Sequence, residues 1–351
     1  MVRLCVPKEK GVISNNCFVS TVQNVRSYDL VFFLGILMYN KCWRYFSRSV
    51  YHFEGEKQRM AYARHQSFYL RDKWFSKGLR AVDSDSRFFF QENNFETIGL
   101  GKNMVESLKY WLLAFDVIEE RNEEGQKGHY LTELGTTLYN NDRLLQKNET
   151  LAILHYHLVK NTKDLSTVFE WYFNRYKETT VSKLDLLNSF STWVSQNESK
   201  EISENSLKRD IDCLIQFYTK TPNDNDPEDV IFCPFSKLSL MKSESSGEKS
   251  DTIKKMSPEV ANLGINSLYY ILLCHREFAE VELISVDEII KGDFLWGKIF
   301  NLSRNKTIEA LNVLTNHDKF PIQYVRTNNL DYIKVPKVSP MDFLKQELVK
   351  G

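Results

Sequence analysis

The stretch that decides the fold is GLGKNMVESLKYWLLAFDVIEERNEEGQKGHYLTELGTTLY, Gly99–Tyr139. Met104, Leu108, Trp111, Leu112 and Phe115 recur three and four residues apart, so they share one face of a helix. Gly99 and Gly101 mark where that helix begins. Val117 and Ile118 then lead into the polar, glycine-containing RNEEGQKG, and His129-Tyr130-Leu131 leads back out, the pattern of a hairpin. Thr132 is placed to cap a short helix through Tyr139. A helix followed by a two-stranded hairpin is the plan of a winged helix-turn-helix, whose recognition helix enters a groove of duplex DNA. The same plan also serves packing or protein contact, and the pattern alone does not choose between them.

Two further segments repeat the plan. Ser182 with Asp185 forms a capping-box-like start, and Leu186, Leu187, Phe190 and Trp193 make an apolar face. After the polar turn NESKEIS, Ser203 caps ENSLKRDIDCLIQFY, whose Leu207, Ile211, Leu214, Ile215 and Tyr218 form one stripe. The TPNDNDPED loop and the apolar VIFCPF are expected to supply a degenerate wing. In the third segment Ser303 caps RNKTIEALNVLTNH, and PIQYVRTNNLDYIKV reads as a hairpin around Asn328-Asn329. Between these lie helical patterns over Glu149–Asn161, Leu165–Lys177, Asn266–Phe278 and Ser285–Lys291. A further helix is expected near Asp72, and Ser243–Ser257 reads as a polar loop. The fold class is therefore mainly α with small β-hairpins, as tandem winged helix-turn-helix modules joined by helices. The expected divisions are 60–145, 146–242, a linker 243–257, and 258–351.

Residues 1–59 differ from the remainder. They hold nine basic and four acidic residues, +5 against −5 for the rest, and half of the six cysteines. The regular patterning starts after Met60, which suggests Met60 as the biological start and 1–59 as translated upstream sequence. A basic partner-binding arm is the alternative.

The composition, 42% hydrophobic and 26% charged, is that of a globular chain. Formal net charge is zero, so DNA contact has to come from local patches. The candidates in the first module are Lys102, Asn103, Ser107 and Lys109. In the second they are Asn205, Lys208 and Arg209, and in the third Arg304, Asn305, Lys306 and the wing residue Arg326. Basic residues at an exposed helix N-terminus suit phosphate; an ordinary solvated helix face is the alternative at each site. The cysteines show neither CxxC nor zinc spacing, which suits a reduced cytoplasmic protein. The longest apolar run, Leu30–Tyr39, is too short to span a bilayer. There is no Walker loop, no GxSxG and no HExxH. Asp224, Asp226, Glu228 and Asp229 could hold a divalent cation through oxygen ligands, although a solvated acidic loop is the simpler reading.

Five separated motifs carry a family resemblance. They are HQSFYLRDKWFSKG (His65–Gly78), GLGKNMVESLKYW (Gly99–Trp111), LTELGTTLY (Leu131–Tyr139), SLKRDIDCLIQFY (Ser206–Tyr218) and CPFSKLSL (Cys233–Leu240). Together they resemble the bacterial domain-of-unknown-function 4007 (DUF4007) family, with His65, Arg71 and Trp74 in the first motif. Arg64 and Lys73 depart from the usual pattern. The family is similar to the DNA-nicking component of single-stranded DNA phosphorothioation systems, which act in phage defence. The resemblance implies a protein that binds DNA and opens one strand for sulfur insertion, with Mg²⁺ as candidate cofactor. It also implies partners: a phosphoadenosine-phosphosulfate-reductase-like sulfur-transfer protein, an ATPase and a cysteine desulfurase. No residue is assigned to catalysis. A non-enzymatic transcriptional regulator and an adaptor recruiting the sulfur-transfer enzyme to DNA remain open as alternatives.

Overall fold

Helix α1 spans Trp74–Ser84, starting two residues beyond Asp72. Its buried Trp74, Phe75, Leu79 and Val82 face the core. Gly78 sits mid-helix because another helix lies against it: a Cβ there would stand 2.6 Å from Leu112 Cδ1. The structure, a computed structural model, describes residues 61–348 apart from 124, 162–164, 223–230, 247–248, 277–282 and 328–329. The chain divides into two units, Met1–Lys57 and Gln58–Gly351. The reading of 1–59 lies outside the described residues.

After a 3₁₀ turn at Phe88–Phe90 comes α2, Asn94–Ile98, closed by Gly99 at φ 65°. That left-handed conformation is one that glycine adopts without a Cβ penalty. Helix α3 follows over Lys102–Ala114. Of the expected stripe, Leu108, Trp111, Leu112 and, just beyond the helix, Phe115 are buried, while Met104 is half-buried and Val105 joins the core beside them. Strands β1 (Ile118–Glu123) and β2 (Gln126–Leu131) then pair antiparallel, from Ile118 opposite Leu131 to Glu123 opposite Gln126. Thr132 accepts the Gly135 amide at 3.0 Å and caps α4, Glu133–Asp142. The expected helix–hairpin–helix order of Gly99–Tyr139 is therefore present.

Helix α5, Asn148–Lys160, is buried from Thr150 through Tyr156. The expected single helix over Leu165–Lys177 is instead a short α6, Thr167–Glu170, that widens into a π-type turn at Trp171–Arg175. The Tyr176 amide reaches back five residues to the Trp171 carbonyl at 2.9 Å, which brings the Tyr176 ring within 4.8 Å of Trp171.

Strand β3, Thr180–Ser182, precedes α7 (Lys183–Asn197) and α8 (Glu204–Thr219). Ser182 and Ser203 cap these helices through the Asp185 and Ser206 amides. The hairpin after α8 is not the expected one. Residues 223–230 lie outside the described residues, and Pro234–Leu238 forms a 3₁₀ turn. The expected loop Ser243–Ser257 instead pairs as β4 (Met241–Ser246) with β5 (Lys249–Lys255), and β3 completes the sheet in the order β3-β5-β4. The stretch is polar because Glu244 bridges Lys242 at 2.9 Å and Lys254 at 2.6 Å on its outer side. Only Ile253 is deeply buried on β5 among the described side chains, so hydrophobic alternation gives no strand signal.

Helices α9 (Val260–Leu263) and α10 (Ile265–Arg276) lead to β6, Leu283–Ser285. Then come α11 (Val286–Lys291), α12 (Trp296–Ile299) and α13 (Arg304–Thr315). Strands β7 (Gln323–Thr327) and β8 (Leu330–Lys334) form the expected hairpin, with the sheet order β6-β8-β7. Ser303 is the expected cap, through the Lys306 amide, and Ser285 caps α11 through the Glu288 amide. The two turn asparagines lie outside the described residues. Helix α14, Pro340–Leu348, closes against α10, where Phe343 packs 4.9 Å from Tyr269. The described fold is mainly helical with small antiparallel sheets. Among the described residues, no helix is long and apolar enough to cross a membrane.

His155 is fully buried on α5. Its Nε2–H donates to the Ile299 carbonyl at 2.8 Å, and its Nδ1 accepts the Tyr218 hydroxyl at 2.7 Å. One imidazole thus ties α5 to α8 and to the end of α12. Burial pushes its pKa down to about 4, so the ring is neutral.

Candidate nucleic-acid interface

Three helices, α3, α8 and α13, share one setting: each follows another helix and precedes a hairpin. What each can do depends on its outward stripe. On α3 that stripe begins with Lys102 and Asn103, both exposed at the first turn. Among the described residues Lys102 has no ion-pair partner, and its ammonium adds to the partial positive charge of the helix start. One turn on, Glu106 pairs with the half-buried Lys109 at 2.7 Å, which offsets that lysine's charge. Ser107 does not reach the surface. It is fully buried, and its hydroxyl donates to the Phe68 carbonyl at 3.3 Å. Helical spacing from Asn103 placed Ser107 on the same side as the reading face, but the Phe68 segment covers it.

The hairpin after α3 is acidic. Glu120 pairs with Lys127 at 2.9 Å, and Arg121 sits between Glu119 at 3.2 Å and Glu123 at 3.6 Å. Its two cations are therefore already matched. Any phosphate contact in this segment rests on Lys102.

Helix α8 presents Asn205, Lys208 and Arg209 to solvent. Among the described residues Arg209 donates only to the Asn205 carbonyl, at 3.2 Å, and Lys208 has no partner. Two adjacent cations without a carboxylate partner follow directly on a capped N-terminus. The inward side of α8 anchors them: Asp210 is buried and accepts both the Ala63 amide at 2.8 Å and the His65 Nε2–H at 2.9 Å.

Helix α13 is different. Arg304 is held by Asp287 at 2.6 Å and Asp331 at 3.2 Å. Lys306 donates to the Ser257 and Pro258 carbonyls and pairs with Glu259 at 3.0 Å. Both cations fasten α13 to its surroundings. Asn305 is exposed, and Arg326 on the hairpin is 71% exposed but lies 3.6 Å from Asp331.

The residues of the first motif are structural in their contacts. The Ser67 amide donates to His65 Nδ1 at 3.1 Å, so the proton sits on Nε2 and points at Asp210. The His65 ring lies nearly parallel to Trp111, 6.3 Å away. Arg71 places its guanidinium 5.2 Å from the Phe68 ring and 5.4 Å from the buried Trp74 ring.

Sequence reading passed over one basic face. Lys73, Lys77 and Arg80 line a groove of about 540 Å³ beside α1, with Ala81, Phe88, Ile98 and Leu144. The available signal was their spacing of four and three residues, which puts them on one side of a helix.

Acid–base or nucleophilic chemistry has little support in these positions. Cys213 and Cys233 are buried, and burial pushes both thiols up, away from the reactive thiolate. Among the described residues, no three His, Cys, Asp or Glu side chains gather in a way that could hold a metal ion. The acidic run at Asp224–Asp229 lies outside the described residues.

The fold is similar to that of two solved structures, "SspB crystal structure" and "Magnesium ion-bound SspB crystal structure". Each superposes with a TM-score of 0.71 at 23% identity, covering 83% of this chain and 87% of that chain. No curated protein matches the sequence. The model of the family described as protein of unknown function (DUF4007) matches residues 62–348, and the chain belongs to that family.

Proposed function

We propose that the chain is a DNA-binding component of a bacterial DNA phosphorothioate modification and phage-defence system, built from winged helix-turn-helix modules. The observation that carries the DNA reading is the pair of helices α3 and α8. Each precedes a hairpin and holds unpaired cations beside an exposed asparagine in its first turns: Lys102 and Asn103, and Asn205, Lys208 and Arg209. Cations with no carboxylate to leave are free to neutralise phosphate, and asparagine can read a base edge. The modules on this reading are 60–145, 146–257 and 258–351. The β4–β5 hairpin joins the second module as its wing, replacing the linker at 243–257. The third module, with Arg304 and Lys306 occupied, serves as a scaffold.

The modification system enters through the family resemblance. So do the implied partners: the sulfur-transfer protein, the ATPase and the cysteine desulfurase. A Mg²⁺-dependent nick rests on the same resemblance. Incubating the full chain with supercoiled plasmid and Mg²⁺ tests it. Open-circle product above a mock-purified control supports a nickase. Duplex binding without nicking supports the regulator or adaptor. No duplex binding at any salt concentration overturns the DNA reading.

A further inference from the structure

The groove beside α1 combines features that a helix surface does not need for folding. Lys73, Lys77 and Arg80 line it together with Ser76, Ser84, Gln91 and Thr97, and Ala81, Phe88, Ile98 and Leu144 give it an apolar floor. Its volume of about 540 Å³ falls within the range of small-ligand pockets, roughly 300–1,000 Å³. Among the described residues Asp85 is the one acid on its wall, and its carboxylate is taken by the Arg87 amide and the Gln91 side chain. The lining is thus two charges positive. Lys77 is anchored by donating to the Ile98 carbonyl at 3.1 Å. Lys73 and Arg80 have no hydrogen-bond or ion-pair partner through their side chains among the described residues. Leu144 is 49% exposed, so the floor is open to a ligand.

Unmatched cations above an apolar floor, flanked by hydroxyl and amide groups, suit a ligand with an anionic end and a flat, hydrogen-bonding body. We propose that this groove is a nucleotide-binding pocket, with Lys73 and Arg80 holding the phosphate and Ala81, Phe88, Ile98 and Leu144 carrying the base and sugar. Lys77 fixes the groove against the end of α2. A free nucleotide and a single nucleotide within a DNA strand present this same chemistry. The assignment is independent of the α3 and α8 reading, because none of its residues lies on those helices.

The test uses the full chain, with dAMP and a fluorescent single-stranded oligothymidylate as separate probes. Saturable binding of either, weakened roughly tenfold for each cation lost in Lys73→Glu and Arg80→Glu, supports the pocket. Binding of dAMP identifies a free nucleotide as the source, and binding of the oligonucleotide alone identifies a strand. Leu144→Asp, which alters the floor while leaving the cations in place, is expected to weaken the same probe. Both cations are exposed, and a thermal melt matching the parent protein verifies folding of each variant. Binding of neither probe overturns the proposal, as does equal binding by the parent and the Lys73→Glu/Arg80→Glu double variant. Duplex affinity measured on a Lys208→Ala/Arg209→Ala variant separates the two readings. If that affinity is unchanged while the groove variant loses nucleotide, the α8 interface fails and the pocket stands.

Discussion

Substituting Lys102, Lys208 and Arg209 together by alanine is expected to flatten the salt dependence of duplex binding. Each cation that neutralises a phosphate contributes about 0.9 to the slope of log affinity against log salt. Three unpaired cations therefore account for a slope of about 2.7, or roughly a 40-fold affinity change between about 50 and 200 mM salt. The triple variant should lose that part of the slope and bind more weakly across all sequences. The control is Arg304→Ala with Lys306→Ala. Arg304 already holds Asp287 and Asp331, and Lys306 holds Glu259 and two carbonyls. Their removal should leave the slope unchanged while lowering stability. Fluorescence anisotropy of a labelled duplex over a salt series measures both variants. A slope altered by less than about one unit in the triple variant refutes the argument, as does an equal loss in the control.

Three further outcomes follow from the core. His155 titrates near 6.5 when unfolded and about 4 when folded. The unfolded chain therefore binds more protons between those values, and stability falls as pH drops through that window. From about pH 8 to about pH 5 this one residue removes about 2 kcal/mol. Urea melts of His155→Gln should lose correspondingly less than the parent over the same range. His65→Ala strips the buried Asp210 of its imidazole donor and should cost about 3 kcal/mol in the same assay. Asp210→Asn, which keeps an acceptor for the Ala63 amide, should cost less. Gly135→Ala drives a Cβ to within 1.9 Å of the Val117 carbonyl oxygen. It should destabilise by about 1–3 kcal/mol in a denaturant melt, despite alanine's higher helix propensity.

The sequence by itself determined what depends on near neighbours. The caps at Thr132, Ser182, Ser203 and Ser303 were legible because a hydroxyl and the amide three residues on are in reach once the helix starts. The apolar stripe of α3 was legible because a 3.6-residue period maps directly onto a buried face. The β4–β5 hairpin was not, because its polar side chains pair with one another and a strand without apolar alternation leaves no periodic mark. Only the tertiary structure decided which candidate residues are available to a ligand. Ser107 is closed off by Phe68, a distant segment, and Arg304 is claimed by acids 17 residues before it and 27 after it. His65 meets Asp210 across 145 residues. Lys102, Lys208 and Arg209 have the same side-chain chemistry as their occupied counterparts. Among the described residues the fold brings no carboxylate to them, and pairing of that kind depends on how distant segments pack rather than on local spacing.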